Sequence, residues 1–542
     1  MNKFIIPIIV IVILVAAGAF LVFKKHTLLQ PPILPQPIVP PTNKCPQPMP
    51  LSLMLKEQCR KEDGKIEPKK NEQGCIVDYE CKKEISTTTK IIQNSPFGLF
   101  DVFAPHEQFS KDMKFSNEDY WKWVANHFRN LGSRWSRHNL LFIWGIVEPE
   151  IGKGYKWGND QITHDTDGIL KIAYNYGGDG FNMVVVVNPS RSKDKVSIKG
   201  NEKNFRKFLR TAVERYDGDG IDDAYPNISV KYWQATNELA LDWFGKGGTV
   251  DEYVDFLRIF SEEVKSADPR AKIIMGAEIA DRSQKLSQNI KAIISKLNGE
   301  KVFDVVDIHY WELASQYKMV IAGEMRKYLD DHGYGNVEIW SMEHGTYVNR
   351  PNPSKYEPSP SLQTEKEQAM SLIKRFVYNL AHDVDKIFWN NIVEWSCFAE
   401  KCGGVFDNMG LISDGRNSGE TSASLNVPRL SYYAYKKMVE VLGGSDWKNI
   451  QTIQESDGIY IYKFTKQGKP IWVAWNDNST EKQITISGIT SNQAKITKAV
   501  PEYETGKGVT DYNTAFSAET KSVANGKIMM SLNDKPVFVE EK

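Results

Sequence analysis

Charge of one sign is not in excess. The 542-residue chain carries 68 basic and 68 acidic side chains. That balance offers no electrostatic draw for nucleic acid or another polyanion, and no nucleic-acid partner is expected. There is no His-Glu-x-x-His motif or comparable metal-ligand cluster, so neither a catalytic metal nor a cofactor is expected. There is no nucleophile elbow and no Ser-His-Asp spacing. Internal repeats are absent. Cysteine is scarce, 6 in all, and Cys45, Cys59, Cys75 and Cys81 fall in one short segment. Long apolar runs are absent but for one, Phe4 to Phe23. What remains is ordinary for a globular protein, with 41% hydrophobic and 25% charged residues. The 14 Trp are many; most are expected in the core, and some in loops where an indole face suits a sugar ring.

The apolar run at the N-terminus has the length of a membrane-spanning helix, about 20 residues. Lys3 precedes it, and Lys24 and Lys25 follow. A cleaved signal is the rival, with Ala17-Gly18-Ala19 as a small-x-small site, but the apolar run continues past it. Residues 1–25 are therefore read as a membrane anchor or signal, and 26–50 as a stiff Pro-rich linker. Residues 45–85 form a Cys-rich microdomain with almost no apolar core. Such a segment is usually stapled by disulfides, which persist outside the cytoplasm. A structural zinc site is the alternative, unsupported by any CxxC pair or nearby His. The pairing of the cysteines stays open. The expected placement is membrane-anchored and extracytoplasmic, or secreted if the segment is cleaved.

From 91 to 444 short β-type runs alternate with amphipathic helical patterns. The strands are expected at Phe97–Phe100, Ser133–Arg137, Met183–Asn188, Ser229–Thr236, Lys272–Gly276, Val305–His309, Glu338–Met342 and Lys386–Asn391. Runs such as Met183-Val184-Val185-Val186-Val187 are apolar on both faces, as buried parallel strands are. Eight such units predict an α/β fold, a (β/α)₈ TIM barrel. The rival, a doubly wound sheet, usually shows a glycine-rich phosphate loop after its first strand, and Phe97-Gly98-Leu99-Phe100-Asp101 is not one. From 445 to 542 the pattern alternates with a period of two, as in Tyr460–Phe464 and Pro470–Trp475, which predicts a C-terminal antiparallel β-sandwich.

Chemistry in such a barrel sits at the C-terminal strand ends. Strand four runs into Asn237-Glu238, and strand seven runs Trp340-Ser341-Met342-Glu343. Each finishes in a glutamate at the barrel mouth. Two facing carboxylates are what a retaining glycosidase requires: one protonated to assist the leaving oxygen, one ionised to attack the anomeric carbon, about 5–5.5 Å apart. The acid is expected to have a raised pKa, from nearby negative charge and partial desolvation. The bland alternative is two strand-end residues that bind water or cap helices.

With these residues the chain resembles glycoside hydrolase clan A, the retaining (β/α)₈ hydrolases with an acid/base after strand four and a nucleophile after strand seven. Asn237-Glu238 matches the strand-four signature, and Glu343 within Trp340–Gly345 matches the strand-seven one. The stretch Trp144–Pro149, with Gly154–Trp157 and Asp160, is similar to the loop after strand two. The layout looks most like family 39, with families 5 and 51 possible. The resemblance implies Glu238 as acid/base, Glu343 as nucleophile and Asn237 as a hydrogen-bond partner of the sugar 2-hydroxyl. It implies Arg137 beneath Glu343, holding it ionised, and His309 and Tyr310 as substrate-binding groups. The clan often has Tyr two places after this His, where Trp311 stands here, so the usual Tyr-to-nucleophile hydrogen bond is in doubt. Trp389 and Trp395 are equal candidates for the sugar platform, and Cys397 and Cys402 for a loop-stiffening disulfide. Glu148, Glu278, Glu312 and Glu394 are weaker carboxylate candidates, Glu278 being the next choice for the acid. The competing reading is a catalytically silent cell-surface carbohydrate-binding protein using the same cleft.

Overall fold

The computed structural model describes residues 64–71, 75–83 and 95–542, apart from 159–164, 192–197, 227, 282, 352–359, 396–403 and 417–421. The apolar segment expected to cross a membrane, the Pro-rich linker, Cys45, Cys59, Cys397 and Cys402 lie outside the described residues. Among the described residues no helix is long and apolar enough to cross a membrane. Gly64–Lys70 and Ile76–Lys83 pair as a two-stranded sheet. Cys75 is buried and disulfide-bonded.

Eight parallel strands close into a barrel. They are β1 (Phe97–Phe100), β2 (Trp135–Ile143), β3 (Asn182–Asn188), β4 (Tyr232–Glu238), β5 (Lys272–Ile279), β6 (Val305–Trp311), β7 (Glu338–Gly345) and β8 (Lys386–Trp389). A helix follows each strand: α1 (Asn117–Asn130), α2 (Thr166–Tyr176), α3 (Glu202–Tyr216), α4 (Val250–Ala267), α5 (Gln288–Leu297), α6 (Ile321–Asp331), α7 (Glu365–Leu380) and α8 (Leu430–Leu442). Capping boxes start three of them, Ser116/Asp119 on α1, Thr249/Glu252 on α4 and Thr364/Glu367 on α7. In each, two backbone donors that the first turn leaves orphaned find side-chain partners.

Strand alternation sorts side chains into two cores. Trp135, Val184, Ile274, Val305, Trp340, Met342 and Phe388 fill the barrel interior. Val185, Val187, Trp233, Ile273, Val306 and Ile387 point outward into the layer of helices. Burial of both faces explains the unbroken apolar runs in the sequence. The barrel closes where β8 pairs with β1, setting Phe388 opposite Gly98. A Cβ at Gly98 would lie 2.6 Å from the Phe388 ring, so closure requires the glycine.

Beyond α8 lies an antiparallel sandwich. Its strands are β9 (Gln451–Ser456), β10 (Ile459–Lys466), β11 (Lys469–Asn476), β12 (Lys482–Ser487), β13 (Gln493–Lys498), β14 (Ala518–Ser522), β15 (Lys527–Leu532) and β16 (Val537–Glu541). Six of them form one sheet, in the order β9-β10-β11-β16-β13-β14, and β12 pairs with β15 in the other. The sequence pattern does not announce β9 and β14. All of their residues are exposed or only half-buried, so they carry no apolar alternation. Along β10, Ile459 and Ile461 face the small sandwich core. Tyr462 and Phe464 face the other way and join Tyr378, Trp475 and Phe376 in the core shared with the barrel helices. The sandwich is therefore packed onto the barrel through β10, β11 and β16 of this sheet.

Candidate active site

The site begins with a break in a strand. Along β4 the pairing with β5 shifts between Ala235 and Glu238. At that point Thr236 has φ 69°, a conformation strained for a β-branched residue. The bulge turns Asn237 and Glu238, neighbours in sequence, to the same interior. It also crowds β5. A Cβ at Gly276 would lie 2.8 Å from Thr236 Cγ2 and 3.0 Å from the Ala235 carbonyl oxygen, so only glycine fits there. This bulge is why the strand runs to Glu238 rather than ending at Thr236 as the pattern suggests.

Arg137 projects from β2 and is fully buried. Its Nη1 donates to Glu343 Oε1 over 2.8 Å, its Nη2 to Asn237 Oδ1 over 2.6 Å and its Nε to Gln234 Oε1 over 2.8 Å. His309, on β6, sets Nδ1 2.9 Å from Glu238 Oε1 and Nε2 3.0 Å from Asp307 Oδ2. The same Nδ1 lies 3.8 Å from Glu343 Oε1. One oxygen each of Glu238 and Glu343 and a ring nitrogen of His309 all fall within 4.8 Å of one another. Glu238 and Glu343 are 8% and 6% exposed, open enough to be reached from the mouth. Asp242, in the turn after β4, accepts from Asn237 Nδ2 at 3.0 Å and is held by Lys246 at 3.0 Å.

Burial opposes a charged His309, but Glu343, Asp307 and Glu238 outweigh it and push the imidazole up to about 10. Asp307 suffers the same burial, yet His309 and Arg137 hold its carboxyl below the usual range. Burial raises the Glu343 carboxyl, with Glu238 adding to the effect, while His309 and Arg137 pull it back. A raised carboxyl was expected of the acid; the carboxyl of Glu343, read from the sequence as the nucleophile, is raised. The Arg137 cation, 2.8 Å from Glu343 Oε1, favours the ionised carboxylate. Glu238, His309 and Glu343 are also close enough to grip a metal ion. Such an ion would have to displace the proton on His309 and sit beside the Arg137 cation, so the donor set favours an uncharged ligand bearing hydroxyls.

Two residues lie elsewhere than the sequence reading put them. Tyr310 was expected in the site, but it faces the helices. It is fully buried, and its hydroxyl bridges the carbonyls of Gln316 (2.8 Å) and Lys318 (3.0 Å). Trp389 was expected as a platform, yet it is fully buried in the outer core, its Nε1 donating to the Met409 carbonyl over 3.0 Å. Both err by one residue of alternation. Trp311 shares the His309 side of β6. Its ring is 5.4 Å from His309 and 4.6 Å from Phe406, and its indole N–H is buried without a partner. Among the described residues no tyrosine hydroxyl bonds Glu343. Trp395 is half-buried in the loop after β8, 5.4 Å from the His106 ring.

The weaker carboxylates are occupied. Glu148 accepts from Trp144 Nε1 at 2.6 Å and from the Gly152 amide at 2.9 Å. Glu278 accepts from the Ser287 amide and hydroxyl at the start of α5, at 2.7 and 3.0 Å. Glu394 is paired with Arg429 in full burial. The sequence reading missed Gln234, Asp307 and Asp242. For the first two a signal existed: each is a polar residue inside an otherwise apolar strand, an even number of residues from Glu238 or His309.

Two buried glutamates thus converge from β4 and β7 of a closed (β/α)₈ barrel. Solved structures of glycoside hydrolases share the fold. A family 39 glycoside hydrolase from Bacteroides cellulosilyticus superimposes with TM-score 0.56 at 14% identity, covering 87% of this chain and 86% of that one. A β-xylosidase from Caulobacter crescentus gives 0.53 at 11% identity, with 82% and 96% covered. An α-L-arabinofuranosidase from Thermotoga maritima gives 0.51 at 12%, with 78% and 90% covered. No protein-family model matches the chain, and no curated relative does.

Proposed function

We propose that the chain is a retaining glycoside hydrolase, most like family 39, that cleaves β-type glycosidic bonds of oligo- or polysaccharides by double displacement. The observation that carries this is the convergence of Glu238 and Glu343, with oxygens within 4.8 Å of each other beside His309. That approach suits the close carboxylate pair of a retaining enzyme, about 5–5.5 Å apart, and not the wider pair that leaves room for a water. In the first step Glu238 gives its proton to the glycosidic oxygen as the Glu343 carboxylate attacks the anomeric carbon. The bond to the leaving group breaks and a glycosyl ester forms. In the second step Glu238 takes a proton from water, which displaces Glu343 and releases the sugar with its configuration retained. Arg137 fixes the attacking oxygen and, through Asn237, the amide beside the acid. Trp311 and Trp395 are the aromatic faces available to the sugar, in place of Trp389.

The domain layout supports a surface enzyme: an anchor or signal over 1–25, a Pro-rich spacer over 26–50, a disulfide-stapled module over 45–85, and the barrel (91–444) and sandwich (445–542) outside the cytoplasm. The test is Glu343→Gln, which should abolish turnover of 4-nitrophenyl glycosides, and Glu343→Ala with azide, which should yield a glycosyl azide of inverted configuration. Full activity in Glu343→Gln would sink the assignment. Tight binding of an intact oligosaccharide without product would point to a silent receptor instead.

A further inference from the structure

We propose that Asp307 is the positioning residue of this site: a single buried carboxylate that orients Glu238 through His309, and Glu343 through Gln234 and Arg137. The proposal rests on the reading of Glu238 and Glu343 as the working pair.

Asp307 lies in the middle of β6, 1% exposed. An ionised carboxylate there is costly unless it is paired and fully hydrogen-bonded. Three donors meet it. His309 Nε2 and Gln234 Nε2 reach Oδ2 at 3.0 and 2.9 Å, and the backbone amide of Met342 reaches Oδ1 at 2.9 Å. Each donor leads to a glutamate. Met342 is the residue before Glu343. His309 continues through its other nitrogen to Glu238, at 2.9 Å. Gln234 continues through its carbonyl to Arg137 Nε at 2.8 Å, and Arg137 ends on Glu343 at 2.8 Å and on Asn237 at 2.6 Å. One carboxylate thus ties β2, β4, β6 and β7 together beneath the two reacting groups.

The protons follow from the partners. A neutral imidazole has one N–H, and its other nitrogen is an acceptor. Asp307 receives N–H groups from Gln234 and Met342 as well, so it is an acceptor towards His309 too. The Nε2 proton is therefore fixed. Only the proton on the line between Nδ1 and Glu238 can change owner, and that line points at the acid/base. The charged groups around His309 are Glu238 on β4, Asp307 on β6 and Glu343 on β7, with Arg137 on β2 just beyond. The three carboxylates favour the imidazolium, which shields the two glutamates from each other. Removing Asp307 would free the ring to take the other tautomer, to turn, or to lose its charge, and would leave Arg137 held by one partner fewer at one remove. Asp307 touches neither glutamate, so it acts only through these neighbours.

The test is Asp307→Asn in the full chain, assayed with 4-nitrophenyl β-xyloside, β-glucoside and α-L-arabinofuranoside. The expected result is a fall in kcat of about 100-fold or more with KM within about threefold, as for loss of a residue that fixes a catalytic histidine. The alkaline limb of the kcat–pH profile should move to lower pH, a change that a merely structural role would not produce. Wild-type kcat with an unmoved alkaline limb would overturn the proposal. If the variant does not fold, the ring-nitrogen NMR spectrum of His309 in the wild type decides: a proton held on Nε2 at pH 8 supports it, and a neutral ring with its proton on Nδ1 refutes it. If the wild type turns over none of the glycosides, the glycosidase reading fails by itself, and the same spectrum still settles the role of Asp307.

Discussion

Arg137 Nη1 lies 2.8 Å from Glu343 Oε1, with the guanidinium fully buried and the carboxylate nearly so. An ion pair so placed is worth less in itself than the damage done by removing one member, because the other is then stranded in a low dielectric. Arg137→Met should lower unfolding free energy by about 3–5 kcal/mol, read from urea denaturation. Glu343 would lose one of the two cations that pull its carboxyl down, so the acid limb of residual kcat/KM should move to higher pH. Arg137→Lys should rescue only part, since one ammonium cannot span Gln234, Asn237 and Glu343 in their fixed fork. A variant as stable and active as the wild type would show that the pair is incidental.

The bulge at Thr236 makes Gly276 a specific target. Gly276→Ala puts a methyl 2.8 Å from Thr236 Cγ2 and 3.0 Å from a backbone oxygen, contacts that require β4 or β5 to shift. Overpacking of this kind costs about 1–3 kcal/mol. Because the shift falls two residues from Glu238, kcat should drop by more than the loss of stability explains. The comparison is thermal unfolding against turnover, and equal activity per folded molecule would contradict it.

His309 predicts an alkaline loss of stability. Its pKa is raised from 6.5 to about 10 in the folded protein. A raised pKa means the native state binds the proton more tightly than the unfolded chain does. The stabilisation is complete below pH 6.5 and is lost as pH rises towards 10. Wild-type unfolding free energy should therefore decline across that window, and His309→Gln should lack this component. Parallel curves for the two proteins would refute it.

The sandwich should behave as part of the barrel. Trp475 is fully buried, stacked on Tyr460 at 5.3 Å, and donates to the Tyr317 hydroxyl over 3.2 Å. Tyr317 in turn donates to Asp477 at 2.7 Å, which also holds Lys374 of α7 at 2.8 Å. Trp475→Ala should cost about 3–5 kcal/mol and lower a single cooperative transition of barrel and sandwich together. A separate sandwich transition with the barrel unchanged would show that the two unfold independently.

The strands of the barrel were legible because burial on both faces writes unbroken apolar runs, and helices such as α3 and α4 because one apolar stripe writes a period near 3.6. Glu238 and Glu343 were legible because each ends such a strand. The facing of Trp389 was not, since Ile387, Phe388 and Trp389 in a row have no polar face to set the phase, whereas that of Tyr310 followed from the alternation of Asp307 and His309, which the reading did not use. Nor were Gln234 and Asp307 read as parts of the site, although both stand out as polar residues in apolar strands. Their meaning lies in contacts between strands far apart in the chain, Asp307 with Gln234 and Met342, and Gln234 with Arg137. By itself the sequence determined the number and order of the strand–helix units and the two carboxylates at the mouth. Only the tertiary structure decided which donors meet those carboxylates, because hydrogen bonding acts over about 3 Å and that proximity exists only once β2, β4, β6 and β7 are closed into one barrel.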